Sequence, residues 1–578
     1  LYLEDIGDFI VELVDPHFGF SRYAERLGIS ARSFDELYQE LYEDPSLITE
    51  MMLSILKDRI EAEKPTLVCL SVPFPGNLFA AFKCGQWLKK NHPKITVAMG
   101  GGFPNTELRS LSDSRVFEFV DFITLDDGEA PLIVLLSHLD GKTEAANLKR
   151  TFTLVDGAVT YCNGSVIEDI KQEKVGTPDY TGLPLKKYLS VIQITNPMHR
   201  LWSDGRWNKL TMAHGCYWGK CTFCDISLDY IKNYEGSSAA LTVDRMEELV
   251  AQTGERGFHF VDEAAPPALM KAIALEILKR KLVVTWWANI RFEKSFNNDL
   301  CRLLAASGCI AISGGLEVAS DRLLKLISKG VSIEQVSKVN ENFNRAGIMV
   351  HAYLMYGFPT QTAQETIDSL EVVRQMFEMN VMQSAYWHRF AMTAHSPVGK
   401  NPEKFNVKIV GESIGPFANN DLQHEDLTGA DHNLFGEGLK KSLFNYMHGV
   451  GFDLSLQDWF EDKMPETSLP VNLIESYLAE PENRELKPTA QVVWLGGPAE
   501  YDISECVLTI YGKQETIYLE CPISEGQWLS SVLDSMSTEE FTFKTFIEDY
   551  KDSHLEDFEL FWEEELMVEL REIGLLVV

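Results

Sequence analysis

The chain has 578 residues, too many for one hydrophobic core, and its 45% apolar, 11% aromatic and 24% charged content is that of a globular protein of several domains. Its 52 basic and 86 acidic residues leave a net charge of -34, which argues against nucleic acid as the main partner, because a phosphate backbone wants a basic surface. No apolar run is long enough to span a bilayer and no signal peptide opens the sequence, so a cytoplasmic protein without membrane contact is expected; Leu1 in place of Met reads as a chain lacking its true start.

Residues 1–60 carry helical periodicity, as in Phe34-Asp-Glu-Leu-Tyr-Gln-Glu-Leu-Tyr42. From Lys64 the pattern changes to short apolar strands alternating with helices. Strands are predicted at Thr66–Val72, Ile95–Met99 and Phe119–Leu125, with helices from Leu78 to Lys90 and from Pro131. This alternation predicts a parallel, Rossmann-like sheet over residues 1–150. Ligands of such sheets bind beyond the strands' carboxyl ends, where Ser71, Gly100-Gly101-Gly102 and Asp127-Gly128-Glu129 fall. Residues 151–206 read as a hairpin and linker.

A longer alternation follows over residues 207–400. Strands are expected at Lys209–His214, Gly257–Asp262, Val283–Asn289, Cys309–Ser313, Met349–Tyr356 and Met382–Phe390. The helices between them fall at Val243–Thr253, Ala268–Arg280, Asp299–Ser307, Ile333–Arg345 and Ala363–Glu378. About six βα units make a partial or full barrel whose site lies at the strands' carboxyl ends. Residues 401–485 read as a helical extension, with one helix at Phe435–His448. Residues 486–578 read as a smaller α+β domain. It has a hairpin about Gly512-Lys513 and one closing amphipathic helix bearing Phe558, Phe561, Trp562, Leu566 and Leu570. The acidic run from Glu548 to Glu572 reads as a solvated helix face. The fold class is therefore α/β throughout the first 400 residues, with an α+β tail.

Of the ten cysteines, Cys69, Cys84, Cys162, Cys301, Cys309, Cys506 and Cys521 stand singly in apolar or strand-like surroundings and are expected as buried thiols. The other three lie within nine residues, in His214-Gly-Cys216-Tyr-Trp-Gly-Lys-Cys221-Thr-Phe-Cys224, just after the first barrel strand. That contrast points to a reducing compartment and a metal site. Three thiolates so spaced can hold three irons of a [4Fe–4S] cluster and leave the fourth open. The alternative is zinc held by His214 and the three cysteines, although structural zinc more often staples a small domain than a barrel mouth.

From about Lys64 to Lys400 the chain resembles the radical S-adenosylmethionine (SAM) superfamily, in particular its cobalamin-binding branch. The familiar spacing has three residues between the first two cysteines; here there are four, Tyr217 to Lys220, while the aromatic before the last cysteine is kept as Phe223. Phe260-Val-Asp262-Glu263, Gly315-Leu-Glu317 and Tyr356-Gly-Phe-Pro359 carry the rest of the resemblance. It implies that Cys216, Cys221 and Cys224 bind the cluster and that the open iron takes the amino and carboxylate groups of SAM. Phe223 would then lie near the adenine, Glu317 contact the ribose, and Asp262, Glu263 and Arg291 hold the methionine part. It implies cobalamin on the first domain, with Ser71, the glycine triplet and Asp127-Gly128-Glu129 around it, the glycines admitting a large flat cofactor. Asp15-Pro-His17-Phe-Gly19 approximates an Asp-x-His-x-x-Gly motif with its glycine one position early; it is read as a turn, with no histidine on cobalt. The tail faintly resembles a winged-helix-like module, against the alternative of a packing domain that closes the barrel.

The function so implied is methyl transfer to an unactivated carbon or phosphorus of a small molecule or peptide, with an electron donor such as flavodoxin or ferredoxin. Cyclisation or another cobalamin-dependent rearrangement is the enzymatic alternative, and a cobalamin-binding sensor with a structural metal is the non-enzymatic one. His351, Tyr353, Tyr386, His388 and Arg389, near the ends of late strands, are candidate substrate contacts.

Overall fold

The computed structural model describes residues 2–20, 23–29, 31–188, 207–411, 414–428, 430–480, 486–512, 515–536, 540–553 and 557–578. Three helices open it: α1 (Tyr2–Leu13), α2 (Asp35–Tyr42) and α3 (Leu47–Glu63). Ser46 starts the last of them by accepting from the Thr49 amide, satisfying one of the donors a helix start leaves free. The first sheet then forms from β1 (Leu67–Ser71), α4 (Leu78–Asn91), β2 (Thr96–Gly100), α5 (Gly102–Glu107), β3 (Phe122–Thr124) and α6 (Glu129–Leu139). Strands β1, β2 and β3 are parallel, and β1 lies at the sheet edge. That edge position corrects one expectation: Cys69, on β1, is exposed and not a core thiol, and Cys84 and Cys506 are only half-buried.

The hairpin expected ahead of the linker, β4 (Thr151–Val155) and β5 (Ala158–Cys162), completes this first sheet, in the order β1-β2-β3-β4-β5. Arg150, just before it, donates to Leu125 O and Asp127 O and is paired with Asp169, so the hairpin braces the loop after β3.

The second sheet is built from β6 (Asn208–Leu210), then the short pieces β7 (Ala213–His214), α7 (Asp229–Lys232) and β8 (Glu235–Gly236), and α8 (Ala239–Thr253). It continues through β9 (Gly257–Phe260), α9 (Pro267–Lys279), β10 (Thr285–Ile290), α10 (Asn298–Ala306) and β11 (Cys309–Glu317). Helices α11 (Asp321–Leu326) and α12 (Ile333–Arg345), β12 (Met349–Tyr356), α13 (Ala363–Glu378) and β13 (Ser384–Arg389) end it. Its six strands are all parallel, in the order β13-β12-β11-β10-β9-β6. A partial barrel results.

Residue alternation fixes its two faces. Phe258, Phe260, Trp286, Ile290, Ile312, Val350 and Leu354 are buried in one core with α8, α9, α10, α12 and α13. Each such large side chain contributes about 1.5–3 kcal/mol. The residues between them, among them His259, Asn289, Ser313 and Tyr353, take the opposite, inner face. The helix starts agree with the fold locally: Ser238 caps α8, and Thr362 with Glu365 forms a reciprocal capping box on α13. Gly308, at φ 97° before β11, lies so close to Val284 O that a Cβ would collide with it.

Beyond the barrel, residues 414–418 reach back to the first sheet: Phe417 and Ala418 are buried with Phe34, Phe82 and Phe119. The tail has two three-stranded antiparallel sheets and its own core about Trp528, Phe546 and Phe561. The single closing helix expected there is two, Phe558–Glu563 and Glu565–Ile573. Glu564 is extended (ψ 153°) and begins the second. The break lets Arg571 donate to Trp562 O and lie over its ring. No helix among the described residues is long and apolar enough to cross a membrane.

Candidate active site

The cysteine loop leaves β6 and is held from behind by Asp262, at the end of β9. This carboxylate accepts from the amides of Met212 and Ala213 through both oxygens, and is 2% exposed. Burial pushes it up to about 6, against the backbone hydrogen bonds that favour its ionised form. Asp262 was expected to hold the methionine part of SAM; the contacts it makes are to the backbone, and through them it orients the chain that enters the cysteine loop. Gly215 (φ 70°) follows, where a Cβ would collide with Asn233 O, and the Cys216 amide donates to Ile231 O.

The loop is pinned on its far side to residues 326–330. Thr222 donates its amide to Ile327 O and its hydroxyl to Leu326 O, and Trp218 donates Nε1 to Ser328 O. Cys221 and Cys224 lie together. A hydrogen bond from Cys224 lowers Cys221 to about 7, burial opposes this, and Lys329 and Arg291 favour the thiolate; the same sharing and burial raise Cys224. Among the described residues no three His, Cys, Asp or Glu side chains gather closely enough to hold one ion. Phe223 packs with Val318, Leu323, Ile327 and Phe358, beneath the Lys329 ammonium.

Glu317, expected at the ribose, makes an ion pair with Lys329 at 2.6 Å, both side chains nearly buried (12% and 8% exposed). The expected strand end also moves, because Gly314, Gly315 and Glu317 all lie within β11. The β11–β12 register shifts between Gly315 and Glu317, and Glu317 takes φ 63°. A Cβ on Gly315 would fall on the Glu317 carboxylate and 2.6 Å from Lys329 Nζ, so any larger residue would have to displace the ends of this pair. Burial pulls the Lys329 amine down, but Glu317 and the cysteine thiolates outweigh it, so its pKa is raised. Lys329 was not anticipated; one lysine before a glycine in Leu326-Ile-Ser-Lys-Gly330 is its only sequence signal.

Arg291 follows β10 and is 4% exposed. Its Nε donates to Glu293, its Nη2 donates to Lys329 O at 2.6 Å, and Nη1 is buried without a partner among the described residues. Glu263 is exposed at the mouth, and desolvation by the surrounding protein raises its carboxyl while His214 opposes this.

Across from the cysteine loop stand the carboxyl ends of the first sheet. Ser71, Gly128 and Glu129 are exposed there, and Gly128 has open space about it. Gly101 and Gly102 are exposed there and also make a close loop contact. Their Cβ positions would fall 2.8 Å and 2.7 Å from Val72 O and Pro73 O, so these glycines let the loops after β2 and β1 pack on each other. A Cβ on Gly100 would meet Thr124. Asp127 reaches across to the cysteine loop: His214 Nε2 lies 3.4 Å from its carboxylate, within ion-pair distance. Burial raises Asp127, with His214 opposing. His395 Nε2 makes a second contact, 3.1 Å from Thr106 O.

His17 is in a turn, as expected, and faces Glu40 at 3.0 Å. Of the late-strand candidates, His351 is buried against Ser384, and Tyr353 lies between the His351 and His388 rings. Tyr386, His388 and Arg389 are exposed, and Arg389 is bound to Asn433.

Residues 210–373 match the Radical SAM superfamily model. An uncharacterized methyltransferase of Pyrococcus horikoshii is 22% identical over 303 residues, 52% of this chain and 62% of the relative. The anaerobic magnesium-protoporphyrin IX monomethyl ester cyclase of Rubrivivax gelatinosus is 24% identical over 327 residues, 55% of this chain and 56% of that enzyme. The chain thus spans about three-fifths of the length of these relatives. Among solved structures, the cobalamin-dependent SAM radical enzyme OxsB with aqua-cobalamin bound superposes with TM-score 0.51 at 16% identity, over 68% of this chain and 59% of that one. The radical SAM methyltransferase TsrM from Kitasatospora setae, with tryptophan and a SAM analog bound, gives 0.50 at 15% identity, over 75% and 87%. Fold and cysteine loop together define a radical SAM domain, carried here by residues 210–373. Within that class, the arrangement of a parallel-sheet unit ahead of the half-barrel is the fold of the cobalamin-dependent enzymes OxsB and TsrM.

Proposed function

We propose that this protein is a cobalamin-dependent radical SAM enzyme, and that it transfers a methyl group to an unactivated carbon or phosphorus of a small molecule or peptide. The observation that carries this is the approach of His214 to Asp127, which sets the cysteine loop face to face with the strand-end loops of the first sheet. Two cofactors on those two loops would share one chamber.

The residues fit such groups by their donor chemistry. Cys216, Cys221 and Cys224 offer soft thiolates, and Lys329 and Arg291 supply positive charge beside the latter two. The zinc alternative is less well supported, since His214 turns to Asp127 and not to the cysteines. Asp127, Gly128, Glu129 and Ser71 offer hydrogen-bonding groups and open space for the cobalamin, and the engagement of His17 with Glu40 supports a reading with no histidine on cobalt. Bound there, a [4Fe–4S] cluster would supply the electron that cleaves SAM, and cobalamin would carry the methyl group.

The chain's own residues do the rest. Asp262 fixes the entry to the cysteine loop, and Arg291 presents its unpaired Nη1 to the SAM carboxylate. Glu263 offers an accessible carboxylate to the SAM amine, Phe223 lines the adenine side, and Glu317 holds Lys329 in place. The polar inner face, with His351, Tyr353, Tyr386 and His388, receives substrate. An electron donor such as flavodoxin or ferredoxin and a cytoplasmic location belong to this reading. The relatives include a methyltransferase and a cyclase, so cyclisation is the second reading. Anaerobically reconstituted protein given methyl-labelled SAM tests both: label in product supports transfer, SAM cleavage with unlabelled product supports rearrangement, and no cleavage by reduced protein sinks the enzyme reading.

A further inference from the structure

Resting on that reading of the SAM site, we propose that Trp218, in the four-residue gap between Cys216 and Cys221, is the positioning residue that aims Arg291 at the carboxylate of SAM. The Arg291 guanidinium lies 3.8 Å from the centre of the Trp218 ring, and the Lys220 ammonium also stands over that ring at 4.6 Å. The indole is itself fixed: Nε1 donates to Ser328 O at 2.9 Å, and Gly330 (φ 75°) leaves it room that a Cβ would fill. Its neighbour Tyr217 donates to Glu293 Oε1 at 3.1 Å, the same oxygen that receives Arg291 Nε at 3.0 Å. Gly219, at φ 55°, turns the chain back toward Cys221.

Every side of the guanidinium but one is thereby set by the gap residues or by what they touch. Nη2 is held by Lys329 O, a face by Trp218 and Nε by Glu293. Among the described residues, Nη1 alone is buried without an acceptor. A buried cationic N–H left unpaired is unfavourable, and an always-protonated arginine is suited to an anionic oxygen. SAM carries one such group, the methionine carboxylate. The added residue in the cysteine gap is in this view part of the SAM site: it gives the loop the length to seat an indole against the arginine.

The test uses anaerobically reconstituted holoenzyme at matched iron content. It reads SAM affinity by calorimetry and the change SAM makes in the electron paramagnetic resonance of the reduced cluster. Trp218→Leu should weaken SAM by about tenfold or more, the loss typical of one charge-assisted hydrogen bond, with iron and cobalamin content unchanged. Trp218→Phe keeps a ring under the arginine and should fall between parent and Trp218→Leu; it carries the test alone if the leucine variant does not fold. Arg291→Lys should weaken SAM at least as much, and adding Trp218→Leu to it should cost little more. Unchanged SAM affinity in either Trp218 variant, losses that simply add in the double variant, or iron content that falls in step with affinity would each overturn the proposal. A parent protein that holds a cluster but binds no SAM would instead overturn the underlying SAM-site reading, before any variant is compared.

Discussion

Removing the Glu317 carboxylate separates two roles for one residue, a brace for Lys329 or a ligand for SAM. The ion pair is 2.6 Å long, with side chains 12% and 8% exposed. Deleting one partner of a buried pair costs about 3–5 kcal/mol, because the other charge stays buried without compensation. The Cys221 and Cys224 thiolates offer Lys329 some substitute charge, so the lower end applies, about 3 kcal/mol for Glu317→Ala. For a barrel-sized unit that corresponds to a fall of about 6–12 °C in melting temperature. Glu317 also sits at φ 63°, a conformation that costs a non-glycine residue about 1 kcal/mol. Glu317→Gly should therefore be about 1 kcal/mol more stable than Glu317→Ala, although both lose the pair. Replacing both partners, Glu317→Gln with Lys329→Met, should recover most of the loss. Calorimetric melts of the parent and the three variants, alongside SAM titrations at matched cluster loading, provide the readout. If Glu317→Ala melts with the parent while its SAM affinity drops roughly a hundredfold, the carboxylate serves the ribose and the brace is refuted.

Three further outcomes are expected. Cys221→Ala should take up no [4Fe–4S] cluster, whereas Cys309→Ala, whose thiol is buried in β11 and bonded to Ala311 O, should keep it; visible absorption and iron analysis check both. Glu107 is buried where α5 meets Asn420, and burial, with Asp421 and Asp225 adding to it, pushes its carboxyl from 4.5 up to about 7. An acid raised on folding gives stability that is complete below the unfolded value and lost as pH rises through the folded one, so up to about 3 kcal/mol should disappear between pH 5 and 8. Melts of Glu107→Gln should show a smaller loss over that range, and an unchanged pH profile would count against this origin. The cob(II)alamin form should show no nitrogen splitting from His17, so its paramagnetic resonance should be the same in His17→Ala.

The strand and helix pattern was legible because it is local. Helices α12 and α13 and strand β12 fall where the periodicity of Ile333–Arg345, Ala363–Glu378 and Met349–Tyr356 places them, since side-chain alternation decides which face is buried. The cysteine spacing was legible for the same reason: three thiols in nine residues share a loop whatever the rest of the chain does. Which partner each polar side chain takes was not. Asp262 turns to amides fifty residues earlier, and Glu317 turns to Lys329 only because a register shift beside Gly315 swings its backbone into the left-handed region. The hairpin at 151–162 could have stood apart, but β3 had an open edge, and unpaired strand hydrogen-bonding groups are satisfied by joining it. The meeting of His214 with Asp127 joins residues far apart in sequence, and only the packing of the first sheet against the barrel brings them together. Sequence periodicity therefore determined the faces and the loops of this protein, while tertiary packing decided which charges are spent on structure and which nitrogen of Arg291 is left without a partner among the described residues.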